Sequence, residues 1–135
     1  MILNFNLSET PETVPVVAPG EYHATIEKIE QQAAAGKRKE QVSFMFKIED
    51  DGPEKGKSMF DGFPNEYLAD KNSMTAVKLG NLVRSSGYVP ANANELDMDQ
   101  LLHKSVRFTV IHRNYTDEAT QEAKTASNIK AYLYK

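Results

Sequence analysis

Cysteine is absent from this 135-residue chain. Its absence removes disulfides, thiolate nucleophiles and thiolate zinc sites together, and it fits a reducing cytosol. Long apolar runs are also absent, so nothing approaches the ~20 residues that a membrane-spanning helix needs. The opening MILNFNLSETPETVP has no basic start, no apolar stretch and no small-residue cleavage site, so it does not read as a secretory signal. A soluble, cytoplasmic protein is expected, most simply one domain large enough to bury a core without metal or disulfide support.

The usual signatures of catalysis are missing as well. His23, His103 and His112 are far apart and have no metal-ligand spacing. Glu49, Asp50, Asp51 and Glu54 are acidic neighbours without the periodicity of a calcium loop, and they read as a solvated turn. Gly36, Gly52, Gly56 and Gly80 form no phosphate-binding loop. No base stands beside a nucleophile and no carboxylates converge in one dimension, so neither a nuclease nor another enzyme is indicated, and no cofactor or metal is expected. RNP-like, helix-turn-helix and zinc-finger patterns do not occur.

An excess of positive charge is lacking too, with 16 basic and 19 acidic residues and a net charge of −3. The distribution is more informative than the sum. Residues 1–30 carry Glu9, Glu12, Glu21, Glu27 and Glu30 against Lys28 alone. Residues 36–47 carry Lys37, Arg38, Lys39 and Lys47 against Glu40, and residues 104–135 carry six bases against three acids. Two basic segments are therefore hidden by an acidic average. Either they meet in space, or they are scattered over a solvated surface.

What is present is mostly strand grammar. Residues 1–19, with Pro11, Pro15 and Pro19, predict a flexible arm, although Ile2, Leu3, Phe5 and Leu7 give it apolar anchors; residues 20–135 form the expected domain. A first strand over 20–29 has Tyr22, Ala24 and Ile26 on one face, and its apolar phase slips before Ile29, which predicts a bulge near Glu27 and Lys28 and a bent strand. A basic loop leads into Gln41–Ile48, where Val42, Phe44, Phe46 and Ile48 alternate with Ser43, Met45 and Lys47. A third strand is expected over 57–63. Apolar residues at helical spacing predict a helix over 70–86 ended by Gly87, and Asp97 to Gln100 reads as a capped helical turn whose Leu101 and Leu102 pack inward. A fourth strand over 105–112 points Val106, Phe108 and Val110 inward; a long polar loop over 113–125 follows. A last strand over 127–134 should show Ile129, Ala131 and Leu133 on one side and Asn128, Lys130, Tyr132 and Tyr134 on the other.

Three strands, a helix and two strands is the element order of the OB-fold, a five-stranded, partly open barrel that binds oligonucleotides or sugars on strands two and three and their flanking loops. A three-stranded meander with a separate hairpin packed on one helix is the alternative. In the barrel, the loop with Lys37, Arg38 and Lys39 and the loop with Arg113 and Tyr115 would flank one groove, with Met45, Lys47, Lys130 and Tyr132 as floor or rim. Single-stranded nucleic acid requires such a mixture: cations for phosphates and flat side chains for bases. Lys37, Arg38, Lys39, Lys47, Arg107 and Arg113 are the candidate phosphate contacts, and Tyr115 and Tyr132 the candidate stacking residues. The competing possibility is that Tyr132 and Tyr134 merely cover the barrel and the Lys-Arg-Lys run keeps a loop in water.

The runs APGEYHATIEKIE, VSFMFKIEDDGPEKGKSMFDGF, AVKLGNLVRSSGY and ELDMDQLLHKSVRFTV, with the closing Asn-Ile-Lys-Ala-Tyr, resemble a family of small phage and prophage proteins encoded in recombination and replication modules. The likeness covers residues 18–134. It implies an OB-type single-stranded DNA-binding protein acting in phage replication or recombination in the host cytoplasm, with phage recombinase or replication proteins as further partners. Two departures stand out: a local one, His103 where such proteins often have Gly, and a more telling one, a chain that ends Tyr-Leu-Tyr-Lys within a strand rather than in the acidic tail by which many single-stranded DNA-binding proteins recruit partners, so recruitment through such a tail is not implied here. The alternative function is a non-catalytic protein-interaction module that ignores nucleic acid.

Overall fold

The computed structural model describes residues 1–9, 16–36, 39–92 and 95–134. Five antiparallel strands form one sheet: β1 (Gly20–Gln32), β2 (Gln41–Ile48), β3 (Ser58–Pro64), β4 (Ser105–Thr116) and β5 (Ala123–Leu133), in spatial order β3-β2-β1-β4-β5. A one-turn helix α1 (Asn65–Leu68) and the main helix α2 (Met74–Ser86) separate β3 from β4. The arrangement is mainly β and compatible with an OB-like barrel, but no ladder joins β3 to β5, so the sheet is not closed.

β1 makes the curvature. Its first half pairs with β4 (Gly20 opposite Val110 to Thr25 opposite Ser105), while residues from Ala24 to Gln32 pair with β2. Only Ala24 and Thr25 stand in both ladders. The register slips between Ile26 and Lys28, leaving Glu27 as the extra residue that the spacing of Ile26 and Ile29 foretells. At the same place Ile26 exchanges backbone bonds with the entry to β4: His103 N donates to Ile26 O (2.8 Å), and Ile26 N donates to Lys104 O (2.9 Å).

β2 and β4 alternate as their sequences require. Val42, Phe44, Phe46 and Ile48 are buried, as are Val106, Phe108 and Val110. Phe44 and Phe46 on β2 meet Phe63 of β3 edge-on (5.5 Å from Phe44), Phe108 of β4 (5.5 Å from Phe46) and Tyr132 of β5 (5.9 Å from Phe46). Four strands thus share one aromatic cluster, whose edge-to-face contacts add to the apolar burial. α2 covers it with Leu82 and Val83.

Several boundaries differ from those expected. α2 begins at Met74 rather than at Asp70, because Asp70 turns the chain locally: its Oδ1 accepts from Asn72 N (3.0 Å) and its backbone O from Ser73 N (3.0 Å). Ser73 then caps the helix by accepting from Ala76 N (3.0 Å), and Gly87 ends it at φ 79°. The turn after Asp97 is a short 3-10 segment, Met98–Gln100; Leu101 is fully buried but Leu102 is 38% exposed, because one turn of that length can direct only one of two adjacent leucines inward. The long polar loop does not exist. β4 and β5 continue as a hairpin from Arg113 opposite Ala126 to Thr116 opposite Ala123, and only a short tip remains. Val17, in the expected arm, is fully buried and bonded to Ser127 Oγ through its N–H (2.6 Å), with His112 Nε2 2.7 Å from its carbonyl.

Candidate functional site

Side chains that point inward on β2 and β3 leave a second set outside. Across the ladders, Lys28, Met45 and Phe60 form one row; Thr25, Lys47 and Ser58 lie on one side of it, and Glu30, Ser43 and Gly62 on the other. Phe60 is 52% exposed although it is a large apolar side chain in the middle of a strand. Met45 beside it is half-buried. Residues opposed in this way bring their Cβ atoms to about 5 Å, so Phe60 and Met45 make one apolar spot bounded by the small residues Ser43, Ser58 and Gly62. Lys47 is exposed and forms no ion pair among the described residues. Lys28 is paired with Glu30 (2.8 Å).

Farther along, the same strip reaches the start of β2. Lys39 Nζ bonds Glu66 Oε2 (2.6 Å) and the Tyr67 hydroxyl (3.2 Å), and it lies 4.8 Å from the Tyr67 ring centre. The hydrogen bond to Glu66, then that to Tyr67, holds the Lys39 ammonium above the usual lysine range. Tyr67 remains 43% exposed, a second flat side chain next to a cation. Between Lys47 and Gln41 β2 is about 20 Å long, as its rise per residue dictates.

The candidate residues divide into groups. Met45, Lys47 and Lys39 belong to this strip; Lys37 and Arg38 lie outside the described residues. Arg107 sits on β4 and is paired with Glu21 (3.2 Å). Arg113 and Tyr115 are exposed, but they are on strands of the hairpin and not in a loop. The hairpin extends beyond the N-terminal end of β1, whereas Lys39 stands just before Gln41, which pairs with Gln32 at the C-terminal end of β1, so Lys39 and Arg113 lie toward opposite ends of that strand. Asp117 holds the hairpin tip: its Oδ2 accepts from Lys124 Nζ (2.8 Å) and its Oδ1 from Ala119 N (2.8 Å). These bonds, Lys124 first, keep the Asp117 carboxyl below the usual range, and the same contact raises Lys124.

Tyr132 is not on a binding face. It is 2% exposed and belongs to the aromatic cluster. Thr109 opposes Ala131 and Val110 opposes Ile129, so Lys130 is an extra residue in β5. That bulge shifts the parity: Ile129 and Tyr132 both point inward, while Ala131 and Leu133 are only half-buried. Lys130 itself is exposed on the bulge. The Tyr132 hydroxyl donates to Asp61 Oδ2 (2.8 Å) on β3, and Lys78 of α2 approaches the same carboxylate oxygen (3.0 Å) while donating to Ile129 O (2.7 Å). Burial, reinforced by the Asp61 charge, pushes the Tyr132 phenol well up from its ordinary value. Side chains rather than a ladder therefore join β3, β5 and α2 across the open seam.

Phe60 and Tyr67 were not among the candidates. Phe60 was legible: Met59 and Phe63 share one parity, which leaves Phe60 on the opposite face. Tyr67 was not, because its contact with Lys39 is made only when α1 folds beside the start of β2. Among the described residues no cluster of His, Asp and Glu is arranged to hold a metal, and no helix is long and apolar enough to cross a membrane. No family model matches the chain, and no curated protein matches it.

Proposed function

We propose that this chain is a non-catalytic, sequence-tolerant single-stranded DNA-binding protein of OB type that acts in phage DNA replication or recombination in the host cytoplasm. The observation that carries this reading is the exposed Phe60 beside Met45 on the outer β2–β3 face, with Lys47 next to it and the Lys39–Tyr67 pair along the strip. An aromatic ring in the middle of a strand offers a stacking surface that every base can use, and neighbouring cations neutralise phosphates without reading sequence. In a duplex the bases are already stacked on each other, so the same face favours an unpaired strand. Lys37 and Arg38 add charge to the loop that leads to this strip, and recombinase or replication proteins encoded beside such a protein are the natural recipients of the coated strand.

Fluorescence anisotropy with oligo-dT and a matched duplex, at two salt concentrations, tests it. Tight single-strand binding that weakens steeply with salt and is poor for duplex is expected. Absence of single-strand binding at low salt would overturn the reading and leave the protein-interaction module.

A further inference from the structure

Of the lysines that border the outer strip, two are already held by glutamates. Lys39, just before β2, bonds Glu66 Oε2 through its Nζ (2.6 Å), and Lys28, in the row of Met45 and Phe60, bonds Glu30 Oε1 (2.8 Å). Lys47 has no such partner among the described residues. Both acids belong to the same side of the sheet: Glu30 lies opposite Ser43 in the β1–β2 ladder, and Glu66 is in α1, directly after β3. The four side chains are between 45% and 64% exposed, so neither pair satisfies a buried group. Exposed pairs of this kind contribute little to stability, and the fold does not require them.

Each carboxylate occupies a place suited to a phosphate. The exposed Tyr67 ring has its centre 4.8 Å from Lys39 Nζ, so a base stacked on it brings its phosphate within reach of the ammonium that Glu66 holds. Phe60 and Lys28 repeat the arrangement across Met45, with Glu30 on the lysine. Of the three N–H donors of Lys39, Glu66 takes one and the Tyr67 hydroxyl another. A phosphate on the third would sit beside the Glu66 carboxylate and be repelled by it. The hydrogen bond from Lys28 holds the Glu30 carboxyl below its usual range, as that to Glu66 holds Lys39 above its own, and both shifts favour the charged form.

We propose that Glu66 and Glu30 are internal phosphate mimics, which set the affinity of this face by competing with a single strand for Lys39 and Lys28. The inference rests on the DNA-binding reading above and adds a built-in competitor to that site. A strand gains the full attraction of Lys47, but from Lys39 and Lys28 only the difference between a phosphate and the carboxylate it displaces. Binding also releases fewer ions than the three lysines imply, because each displaced carboxylate recovers a cation as the phosphate loses one. The face is therefore held well below the affinity that its cations and rings could reach.

Glu66→Gln and Glu30→Gln change exposed groups at constant size and leave the fold intact, which circular dichroism verifies. In oligo-dT anisotropy at low salt each should bind about two- to fivefold more tightly than the unaltered protein, the range an exposed ion pair sets. The gain should shrink as salt screens the pair. Glu118→Gln makes the same change of net charge at the hairpin tip and should leave affinity unchanged. Lys39→Gln should weaken binding more in the Glu66→Gln protein than in the unaltered one, because only there is the ammonium free of its carboxylate. Unchanged affinity in either Glu66→Gln or Glu30→Gln, an equal gain in Glu118→Gln, or a Glu66→Gln gain that survives Lys39→Gln would overturn this proposal and leave the DNA-binding reading standing. If neither the unaltered protein nor these variants bind oligo-dT at low salt, that reading falls and this proposal with it.

Discussion

Phe60 and Asp61 are consecutive on β3 and serve its two opposite faces, the outer and inner flanks of the strand. On the outer face, Phe60 stands in solvent beside Met45; on the inner face, Asp61 collects the Tyr132 hydroxyl of β5 and the Lys78 ammonium of α2 under partial burial. The period-two geometry of a strand makes such a division possible within two residues. One flank presents a surface and contributes little to stability. The other replaces a missing ladder with three side chains, so the open seam depends on groups that are costly to leave unpaired.

Substitutions at these neighbours should separate the two roles. Asp61→Ala leaves the Lys78 ammonium and the Tyr132 hydroxyl without their shared acceptor, and we expect a loss of about 3 kcal/mol in urea unfolding. An unchanged midpoint would show that the seam is held by apolar packing alone. Phe60→Ala should alter stability by less than about 1 kcal/mol while weakening oligo-dT binding about 5- to 150-fold, the usual range for one stacked base. Unfolding of that variant, or unchanged binding, would erase the contrast between the flanks.

The smallest effect concerns pH. In the folded protein the Tyr132 phenol is held well above the ordinary tyrosine range, chiefly by burial and then by the Asp61 charge. Its contribution to stability is therefore complete below the ordinary tyrosine range and is lost as pH rises through it, when the unfolded chain releases a proton that the folded chain retains. Tyr22 is raised in the same direction, by burial and then Glu54. Tyr132→Phe should cost about 1 kcal/mol at neutral pH and flatten, without abolishing, the fall in stability above pH 10. An equally steep alkaline limb in urea titrations of the variant would assign the effect elsewhere.

The two bulges show what could be read from the chain. Ile26 and Ile29 in β1 are both purely apolar, so their three-residue spacing announces a phase slip. Ile129 and Tyr132 in β5 have the same spacing and the same cause, but Ala131 and Leu133 offer an unbroken alternation, and a tyrosine is acceptable on either face. The alternation was the wrong choice, and with it went the placement of Tyr132 as a stacking residue. Similarly, the polarity of residues 113–125 suggests a loop, yet an exposed hairpin needs no apolar face once its backbone is paired and Asp117 holds the tip. His103 is a milder case. It adopts φ 68°, a region where glycine is unstrained and a histidine is not.

The amino-acid order alone determined the inward sets of β2 and β4, the bend of β1 and the end of α2 at Gly87, because alternation, phase slips and caps are properties of a few adjacent residues. Tertiary structure decided the rest: the bulge at Lys130, the Asp61–Tyr132–Lys78 junction, the meeting of Lys39 with Tyr67 and the separation of the hairpin from Lys39. A bulge in β5 is a mismatch between two strands, and a shared carboxylate joins residues 17 and 71 positions apart. Neither exists until the strands and the helix that form it are in place.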